Sequence, residues 1–381
     1  MKYIVVGAGL SGAVIARYLA EKGKKVCVWD RREHIGGNMY DYVDEHGILV
    51  HQYGPHTFHT TKEYLFKYMT QFAEWVPYKL TCMAEINGKF TPTPFNFQTI
   101  DDYYEANDGT YLKQCIKEVF GDRTTATVVE VLQCKNETIR KYAEFLFEHD
   151  YSLYTAKQWG ISPRKVDPSI LKRVPLRFSY EVGYFDDEWQ VMPKVSYTEF
   201  FKSIFDHPNI KVQLGIEALD HLSVSKDGMH LLLDGEACQV TVVYTGALDE
   251  LFGTDEGALP YRSLRFEWKY EDIESKQPAP VVAYPQAEGY TRITEYKKLP
   301  IQNVKGTTYA IEYPLQYEAD KKQEPYYPLL TEESQLLAER YKARAKKIQN
   351  FYFCGRLADF KYYNMDQALD QALNVCKEIE L

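Results

Sequence analysis

The sequence predicts an α/β protein in which a nucleotide-binding domain, assembled from separate parts of the chain, carries a small helical bundle and a twisted antiparallel β-sheet domain. Three observations predict this architecture. A glycine-rich βαβ pattern opens the chain, apolar residues at helical spacing fill 99–157, and short strands interrupted by prolines fill 79–98 and 261–330. The length of 381 residues suits two or three such domains.

The first thirty residues contain a complete βαβ nucleotide-binding unit. A buried strand over 2–6 leads into Gly7-Ala-Gly9-Leu-Ser-Gly12, and a helix and a second strand follow. The first glycine permits the tight turn, the second lets the backbone approach a pyrophosphate, and the third lets the helix pack on the strand. Asp30 ends the second strand, where it would accept a hydrogen bond from a ribose hydroxyl. We therefore predict that this unit binds a dinucleotide.

A second glycine pair distinguishes this unit from that of an NAD dehydrogenase. Gly36-Gly37 follows Asp30 by six residues and resembles the turn that serves FAD in flavoproteins of the glutathione-reductase type. Two later segments agree, because a predicted strand from Gln239 ends in a small-residue turn at Gly246 and another over 351–354 ends at Gly355. We therefore expect a discontinuous FAD-binding Rossmann-like domain that consists of 1–78, 195–260 and 347–381.

Two further domains are expected between these pieces. Apolar residues at helical spacing, such as Leu112 and Ile116, predict a helical bundle over 99–165. Prolines at strand edges predict an antiparallel sheet domain formed by 79–98, 166–194 and 261–346. Prolines also bracket a basic stretch and predict a mobile loop near 166–177, which could close over an anion or remain a solvated basic loop.

Composition excludes several classes of function. The 45 Lys and Arg residues against 54 Asp and Glu residues give a formal charge of −9, which argues against a general nucleic-acid binder. We find no apolar run long enough to span a membrane and no secretory signal, so we expect a cytoplasmic protein. Seven cysteines without metal-ligand spacing predict reduced thiols and no metal site.

Several residues could carry chemistry, and each has a plain structural alternative. His56 and His59 follow a Gly-Pro turn and could be a zinc pair, a catalytic base or hydrogen-bonded loop histidines. Tyr154 and Trp159 follow the predicted bundle and could line a site or belong to the core. Arg292 lies on a predicted strand, and periodicity alone does not say whether it faces a cleft or solvent.

Taken together, these segments resemble UDP-galactopyranose mutases of the bacterial type. The resemblance spans essentially the whole chain. It is carried, in order, by GAGLSG, GGN, GPHxFHT, YTxKQWG, KRxPxRF, YTRITE, PYYP and the C-terminal GRL…YxxMD. It implies an FAD-dependent isomerase that interconverts UDP-galactopyranose and UDP-galactofuranose without net redox change. It also implies a homodimer, and a flavin that a reductant such as NAD(P)H or a reductase keeps reduced.

The resemblance also implies a role for individual residues. Arg173 on the mobile loop and Arg292 would bind the UDP diphosphate, and both would be catalytic together with His56 and His59, which would lie beside the isoalloxazine. The other residues implied to contact the substrate are Tyr154, which would stack on uracil, Trp159, Tyr184, Tyr327, Tyr362 and Asn364. The residues implied to hold FAD are Gly7, Gly9, Ser11, Gly12, Asp30, Arg31, Gly37, Asn38, His56, Gly246, Gly355, Arg356 and Met365.

One position departs from the family pattern. Bacterial members commonly have aspartate where this chain has Asn364, so no carboxylate role is implied there.

The implied chemistry needs no side-chain nucleophile. N5 of reduced flavin would attack the anomeric carbon as UDP leaves, and a flavin–sugar iminium would permit ring opening and reclosure. The alternative is a flavin oxidoreductase of the amine- or carotenoid-oxidising type, and a third class is a nucleotide-binding protein without chemistry. An amine or polyene oxidase needs an apolar tunnel rather than a diphosphate clamp, so the paired Arg173 and Arg292 favour the mutase.

Overall fold

The computed structural model describes residues 3–160, 162, 164, 171, 175–321 and 323–380, without the side chains of Trp159, Asp320 and Glu380. The strands are β1 Tyr3–Val6, β2 Val26–Asp30, β3 Asp41–Val43, β4 Leu49–His51, β5 Phe58–Thr60, β6 Trp75–Pro77, β7 Cys82–Ile86, β8 Lys89–Thr93, β9 Thr125–Thr127, β10 Pro175–Arg177, β11 Trp189–Pro193, β12 Ile210–Leu214, β13 Leu222–Val224, β14 Leu231–Leu233, β15 Glu236–Ala237, β16 Thr241–Tyr244, β17 Tyr261–Glu271, β18 Val281–Ala283, β19 Arg292–Glu295, β20 Thr307–Gln316, β21 Tyr327–Pro328 and β22 Phe351–Phe353. The helices are α1 Leu10–Glu21, α2 Glu63–Met69, α3 Phe97–Tyr103, α4 Ala106–Phe120, α5 Val128–Leu132, α6 Glu137–Leu146, α7 Ser152–Trp159, α8 Tyr197–Phe205, α9 Leu248–Leu251, α10 Glu332–Ala345 and α11 Met365–Glu380.

A parallel sheet of order β12-β2-β1-β16-β22 draws its strands from the beginning, the middle and the end of the chain. Val5 and Val28 are fully buried in it, as their apolar strand composition predicts. The helix α1 begins at Leu10, directly after the glycine turn, and ends where Gly23 adopts a positive φ of 75°. The predicted Rossmann-like fold, with strands from both ends of the chain, is confirmed.

A second sheet has the order β21-β17-β20-β19-β18-β7-β8. All its neighbouring strands are antiparallel except β18 and β7, which pair in parallel with Ala283 opposite Ala84. The fold therefore differs from a purely antiparallel sheet at one junction. This junction arises because β7 enters from a segment much earlier in the chain, so no hairpin turn fixes its direction.

The helices α3 to α7 form a bundle whose core includes Leu112, Ile116 and Ile139. A π-helical turn over Phe147–Tyr151 joins α6 to α7. The strand β10 pairs with β9 beside this bundle, because Leu176 packs into the bundle core. The strand β11 pairs instead with β5 and β6. The two described strands of 166–194 thus lie outside the seven-stranded sheet, and the domain bounds stay a prediction.

No helix of the described chain has the length and apolar character needed to cross a membrane. None of the seven cysteines, all of which lie in the described part of the chain, forms a disulfide.

Candidate cofactor and substrate site

A cavity of about 830 Å³ is lined by residues of both large sheets and of the bundle helix α7. It brings together most of the residues predicted to form the site. These are Gly7, Gly9, Ser11, Gly12, Asp30, Arg31, Gly37, Asn38, His56, His59, Tyr154, Tyr184, Gly246, Arg292, Tyr327, Gly355, Arg356, Asn364 and Met365.

Three predicted substrate contacts are not among these lining residues. Tyr362 lies outside the cavity wall, where its ring stacks on Tyr327 with centroids 5.8 Å apart and its hydroxyl accepts a hydrogen bond from Arg262 Nη2 at 2.9 Å. Arg173 and the side chain of Trp159 fall outside the described part of the chain. The roles of all three residues stay predictions.

The glycines of the first turn leave no space for side chains. A Cβ at Gly12 would lie 1.9 Å from the carbonyl oxygen of Gly7, and a Cβ at Gly37 would lie 2.9 Å from Cα of Gly9. A Cβ at Gly7 would lie 2.0 Å from Oγ1 of Thr245, on the neighbouring strand end. The bare backbone at the start of α1 can therefore approach a pyrophosphate closely, with the helix N-terminus facing the anion.

Asp30 and Arg356 also fit a flavin dinucleotide. The Asp30 carboxylate accepts backbone hydrogen bonds from Ala8 at 2.7 Å and Arg32 at 2.9 Å, which fix it at the end of β2 and leave lone pairs for a ribose hydroxyl. Arg356 lines the cavity beside the Tyr327 ring, and no carboxylate of the described residues forms an ion pair with it. A cation in this position is suited to an anionic ligand such as a pyrophosphate.

The rim next to Asp30 is held by charged groups of two segments. Arg31 Nη2 and Arg32 Nη2 lie 2.8 and 2.6 Å from Glu324 Oε2. Asn38 Oδ1 accepts a further hydrogen bond from Arg32 Nη2 at 2.9 Å. Arg31 and Asn38, which were predicted to contact the cofactor, thus belong to a network that joins the nucleotide-binding segment to the segment before β21.

His56 faces the cavity as a neutral imidazole. Its Nδ1 lies 2.8 Å from the carbonyl oxygen of Gly54, which only accepts, so Nδ1 carries the proton and Nε2 is the basic nitrogen. Burial lowers the pKa of His56 to about 4, although the Gly54 carbonyl opposes this shift. His56 is therefore uncharged at neutral pH.

His59 forms a second polar group on the cavity wall. Its Nδ1 lies 2.9 Å from Asp187 Oδ2, and its ring stacks on Phe185 with centroids 3.5 Å apart. The carboxylate fixes the ring orientation and favours the proton on Nδ1. Among the described residues no group of three His, Cys, Asp or Glu side chains could hold a metal, so the zinc alternative for His56 and His59 finds no third ligand.

Arg292 projects from β19 opposite Glu312 on β20. Its Nε lies 2.5 Å from Glu312 Oε1, and Glu312 is only 1% exposed. Burial disfavours the charge of Arg292, but the Glu312 carboxylate holds the pKa of the guanidinium well above its usual value. Arg292 therefore presents a permanent positive charge to the cavity. Of the two orientations that the strand pattern allows, towards a cleft or towards solvent, the structure has the first.

Sequence reasoning missed the partners that hold these groups. Glu312, Asp187 and Glu324 are ordinary acidic residues in their local sequence, and only strand register or loop packing brings them to the site. Asp150 on the π-helical turn also lines the cavity and carried no sequence signal.

Comparison with known proteins identifies the family. The model of the UDP-galactopyranose mutase family matches residues 150–362, more than half of the chain, and a model of NAD(P)-binding Rossmann-like domains matches 5–72. A protein of Klebsiella pneumoniae named probable UDP-galactopyranose mutase is 36% identical over 98% of this chain and 94% of its own length. The chain belongs to the UDP-galactopyranose mutase family. The prediction of an isomerase of this family is confirmed.

Two further comparisons concern a relative named for a different sugar nucleotide and a solved structure with a similar fold. The dTDP-fucopyranose mutase of Escherichia coli is 34% identical over 98% of this chain and 96% of its own length. The crystal structure of a reduced UDP-galactopyranose mutase superposes with a TM-score of 0.72 at 15% identity, covering 100% of this chain and 93% of that one, which supports the fold.

The glycine cradle, formed by Gly7, Gly9 and Gly12 at the start of α1, fits the dinucleotide FAD. The Rossmann-like family model covers this cradle, and an FAD-dependent oxidoreductase of Cochliobolus heterostrophus is 28% identical over 30% of this chain and 28% of its own length.

Proposed function

We propose that this protein is an FAD-dependent isomerase that interconverts UDP-galactopyranose and UDP-galactofuranose. The observation that carries the proposal is one cavity that joins the glycine cradle to Arg292 and Tyr154. A dinucleotide cofactor and a nucleoside diphosphate sugar can therefore meet in one cavity. Family membership supports the same reaction.

Bound in its reduced form, FAD would supply a nucleophilic N5 for the anomeric carbon, with UDP as the leaving group and without net redox change. The cradle of Gly7, Gly9 and Gly12 with Asp30 and Arg356 would hold this cofactor, and Gly246, Gly355 and Met365 border the same space.

Arg292 would bind the substrate diphosphate. Glu312 accepts from Nε, while neither terminal guanidinium nitrogen donates a hydrogen bond to a described residue. Both terminal nitrogens are therefore free to bind phosphate oxygens in a bidentate way and to stabilise the charge that develops as UDP leaves. Arg173 would complete the clamp from the 166–177 loop, which would exclude water on closure.

Aromatic side chains would position the rest of the substrate. Tyr154 would stack on the uracil ring, and burial raises the pKa of its phenol, which keeps the ring neutral. Tyr184 and Tyr327 border the cavity and would donate hydrogen bonds to the diphosphate, while Tyr362 would act from the rim beside Tyr327. Trp159 and Asn364 would contact the sugar end.

His56 and His59 would lie where the flavin ring meets the sugar of the substrate. Each has Nδ1 held by a fixed partner, so each can offer Nε2 to the flavin or to a sugar hydroxyl. A neutral His56 can exchange a proton there without first losing a charge. We propose that the protein acts as a homodimer and that NAD(P)H or a reductase keeps the flavin reduced.

The decisive experiment measures turnover against the redox state of the flavin. Purified enzyme is reduced once with a stoichiometric reductant under anaerobic conditions and is then given UDP-galactofuranose. The expected result is product in large excess over reductant, with no activity in oxidised enzyme. Product limited to one per flavin would exclude the proposal and favour an oxidoreductase of the amine- or carotenoid-oxidising type. Equal rates in both redox states would also exclude the proposal, because the reaction would then not depend on the reduced flavin.

The E. coli relative makes a second sugar nucleotide a necessary comparison. The same reduced enzyme is therefore given dTDP-fucopyranose in parallel. We expect the larger kcat/KM for the UDP-galactose pair. A larger kcat/KM for dTDP-fucopyranose would keep the reaction type and change the substrate.

A further inference from the structure

A buried carboxyl group borders the cavity at the end that lies towards the helical bundle. Asp150 is 7% exposed and lines the cavity beside Tyr151 and Tyr154. No described residue donates a hydrogen bond to its side chain. The carboxyl group therefore lies at the cavity wall without a hydrogen-bond donor among the described residues.

Lys157, the described cation whose charge acts on Asp150, cannot satisfy this carboxyl group by hydrogen bonding. Lys157 Nζ donates to the backbone oxygens of Tyr284 at 2.6 Å, Ala287 at 2.9 Å and Tyr290 at 2.6 Å. An ammonium group has three donors, and all three are used. Lys157 thus interacts with Asp150 only through its positive charge. A buried carboxyl group is costly without a hydrogen-bond donor, and the described residues supply none to Asp150, so its place at the cavity wall points to a donor on a ligand.

An aromatic ring and small side chains line the cavity together with Asp150. Asp150 on the π-helical turn precedes Tyr154 of α7 by four residues, and both residues line the cavity. Ala84 and Ala283, which are opposite each other on β7 and β18, add two small side chains to the same cavity. Together these residues give the cavity an aromatic ring, two small side chains and a carboxyl group, which are groups that a planar base with a donor on its edge would contact.

Strand register gives the distance from this wall to the diphosphate clamp. Arg292 is opposite Ala283, and Ala283 is opposite Ala84, so the three residues share one face of the sheet. Neighbouring strands are about 4.8 Å apart, so Ala84 lies roughly 10 Å from Arg292 across the sheet. Ala84 belongs to the same apolar cluster as Tyr151, the neighbour of Asp150. A pyrimidine nucleotide whose phosphates are bound at Arg292 would therefore extend its base towards Asp150.

We propose that Asp150 recognises the nucleobase of the substrate by accepting a hydrogen bond from the N3–H of uracil or thymine. This inference rests on the proposed function, because it assigns the nucleoside end of the same substrate. It makes Asp150 a specificity-determining residue for pyrimidines that carry a proton at N3. Lys157 acts behind it, holding α7 to the loop that precedes Arg292.

The test compares UDP with 3-methyl-UDP, which lacks the N3 proton, as ligands of the FAD-loaded enzyme. Dissociation constants are measured for the wild type, Asp150→Leu and Asp150→Asn by calorimetry. Asparagine retains a side-chain oxygen that accepts, whereas leucine has no acceptor. We expect the wild type and Asp150→Asn to prefer UDP by about tenfold or more, as for loss of a hydrogen bond to a buried acceptor, and Asp150→Leu to lose most of this preference.

Glu148→Gln is the matched control, because Glu148 is an exposed carboxylate on the same π-helical turn and does not line the cavity. It should behave as the wild type. An equal preference in the wild type, Asp150→Asn and Asp150→Leu would mean that the methyl group is excluded by shape alone, and it would overturn the inference while leaving the mutase intact. Failure of the wild type to bind UDP at all would overturn the inference and the proposed function together.

Discussion

Arg292 and Glu312 form an ion pair across adjacent strands, with Nε of the arginine 2.5 Å from Oε1 of the glutamate. The two residues are opposite each other in the register of β19 and β20, so the strands themselves bring the charges together. Glu312 is almost completely buried and needs this partner. The pair therefore contributes to the fold as well as to the electrostatics of the cavity.

We expect Arg292→Met to affect both stability and binding, and a second substitution to separate the two effects. Loss of the arginine leaves a buried carboxylate unpaired, which costs roughly 3–5 kcal/mol of unfolding free energy. Addition of Glu312→Gln should recover most of this stability, because the uncompensated charge is removed. UDP affinity should stay low in both variants. Urea unfolding and UDP titration measure the two quantities, and recovery of UDP binding in the double variant would contradict the assigned role of Arg292.

The glycine cradle gives a prediction about cofactor content. In Gly12→Ala the new methyl group would lie 1.9 Å from the Gly7 carbonyl oxygen, so the turn must move away from the pyrophosphate position. We expect most of the bound FAD to be lost on purification, as measured by the flavin-to-protein absorbance ratio. Gly109→Ala is the control, because Gly109 lies in α4 and does not line the cavity. A Cβ at Gly109 would be in ordinary contact with Cγ2 of Ile100 in α3, at 3.4 Å. Full flavin content in Gly12→Ala would contradict the cradle.

The nucleotide-binding unit could be predicted from sequence because its signals are local. The apolar strand, the glycine turn and Asp30 lie within thirty consecutive residues, and short-range geometry relates them. The family motifs likewise indicated Arg292 and Tyr154, which line the cavity.

The partners of these residues could not be predicted in the same way. Glu312 meets Arg292 only through the register of β19 and β20, which the local sequence of neither strand specifies. Asp187 reaches His59 from a loop more than a hundred residues away. The unusual parallel pairing of β7 with β18 likewise depends on how distant segments pack. Long-range partners therefore carry little sequence signal, even where the residue they hold is evident.

Asp150 gives a prediction about the pH dependence of stability. Burial raises the pKa of Asp150 to about 7, although Lys157 opposes the shift. The unfolded side chain titrates near pH 4, so ionisation becomes increasingly costly to the folded state as the pH rises from about 4 to 7. Asp150→Asn removes this cost. We expect the variant to gain of the order of 2–4 kcal/mol over the wild type at pH 8 and little at pH 4.5.

Chemical denaturation of the FAD-loaded proteins at both pH values measures this difference. Glu148→Gln should show no comparable change between pH 4.5 and pH 8, since Glu148 is exposed. A pH-independent difference between Asp150→Asn and the wild type would mean that Asp150 does not change its charge in this range.

The pair of His59 and Asp187 gives a prediction about turnover. Asp187 Oδ2 lies 2.9 Å from His59 Nδ1, and the stacked ring of Phe185 restricts the imidazole further. If His59 exchanges protons at Nε2, the carboxylate is needed to keep the proton on Nδ1 and to stabilise the charged ring. In Asp187→Asn the amide can donate to Nδ1 instead, which moves the proton to Nε2 and removes the base. We expect kcat to fall by about 10- to 1,000-fold, while UDP affinity and FAD content change little.

The control for this variant is Glu188→Gln, because Glu188 is the exposed neighbour of Asp187 and does not line the cavity. Anaerobic turnover of pre-reduced enzyme, UDP titration and flavin absorbance are measured for both variants. A fall in kcat together with an equal fall in UDP affinity would indicate that Asp187 only supports the cavity wall. A kcat equal to that of the wild type would mean that His59 takes no part in the proton transfers. His56, whose Nδ1 is held by the Gly54 carbonyl, would then be the remaining histidine where the flavin ring would meet the sugar.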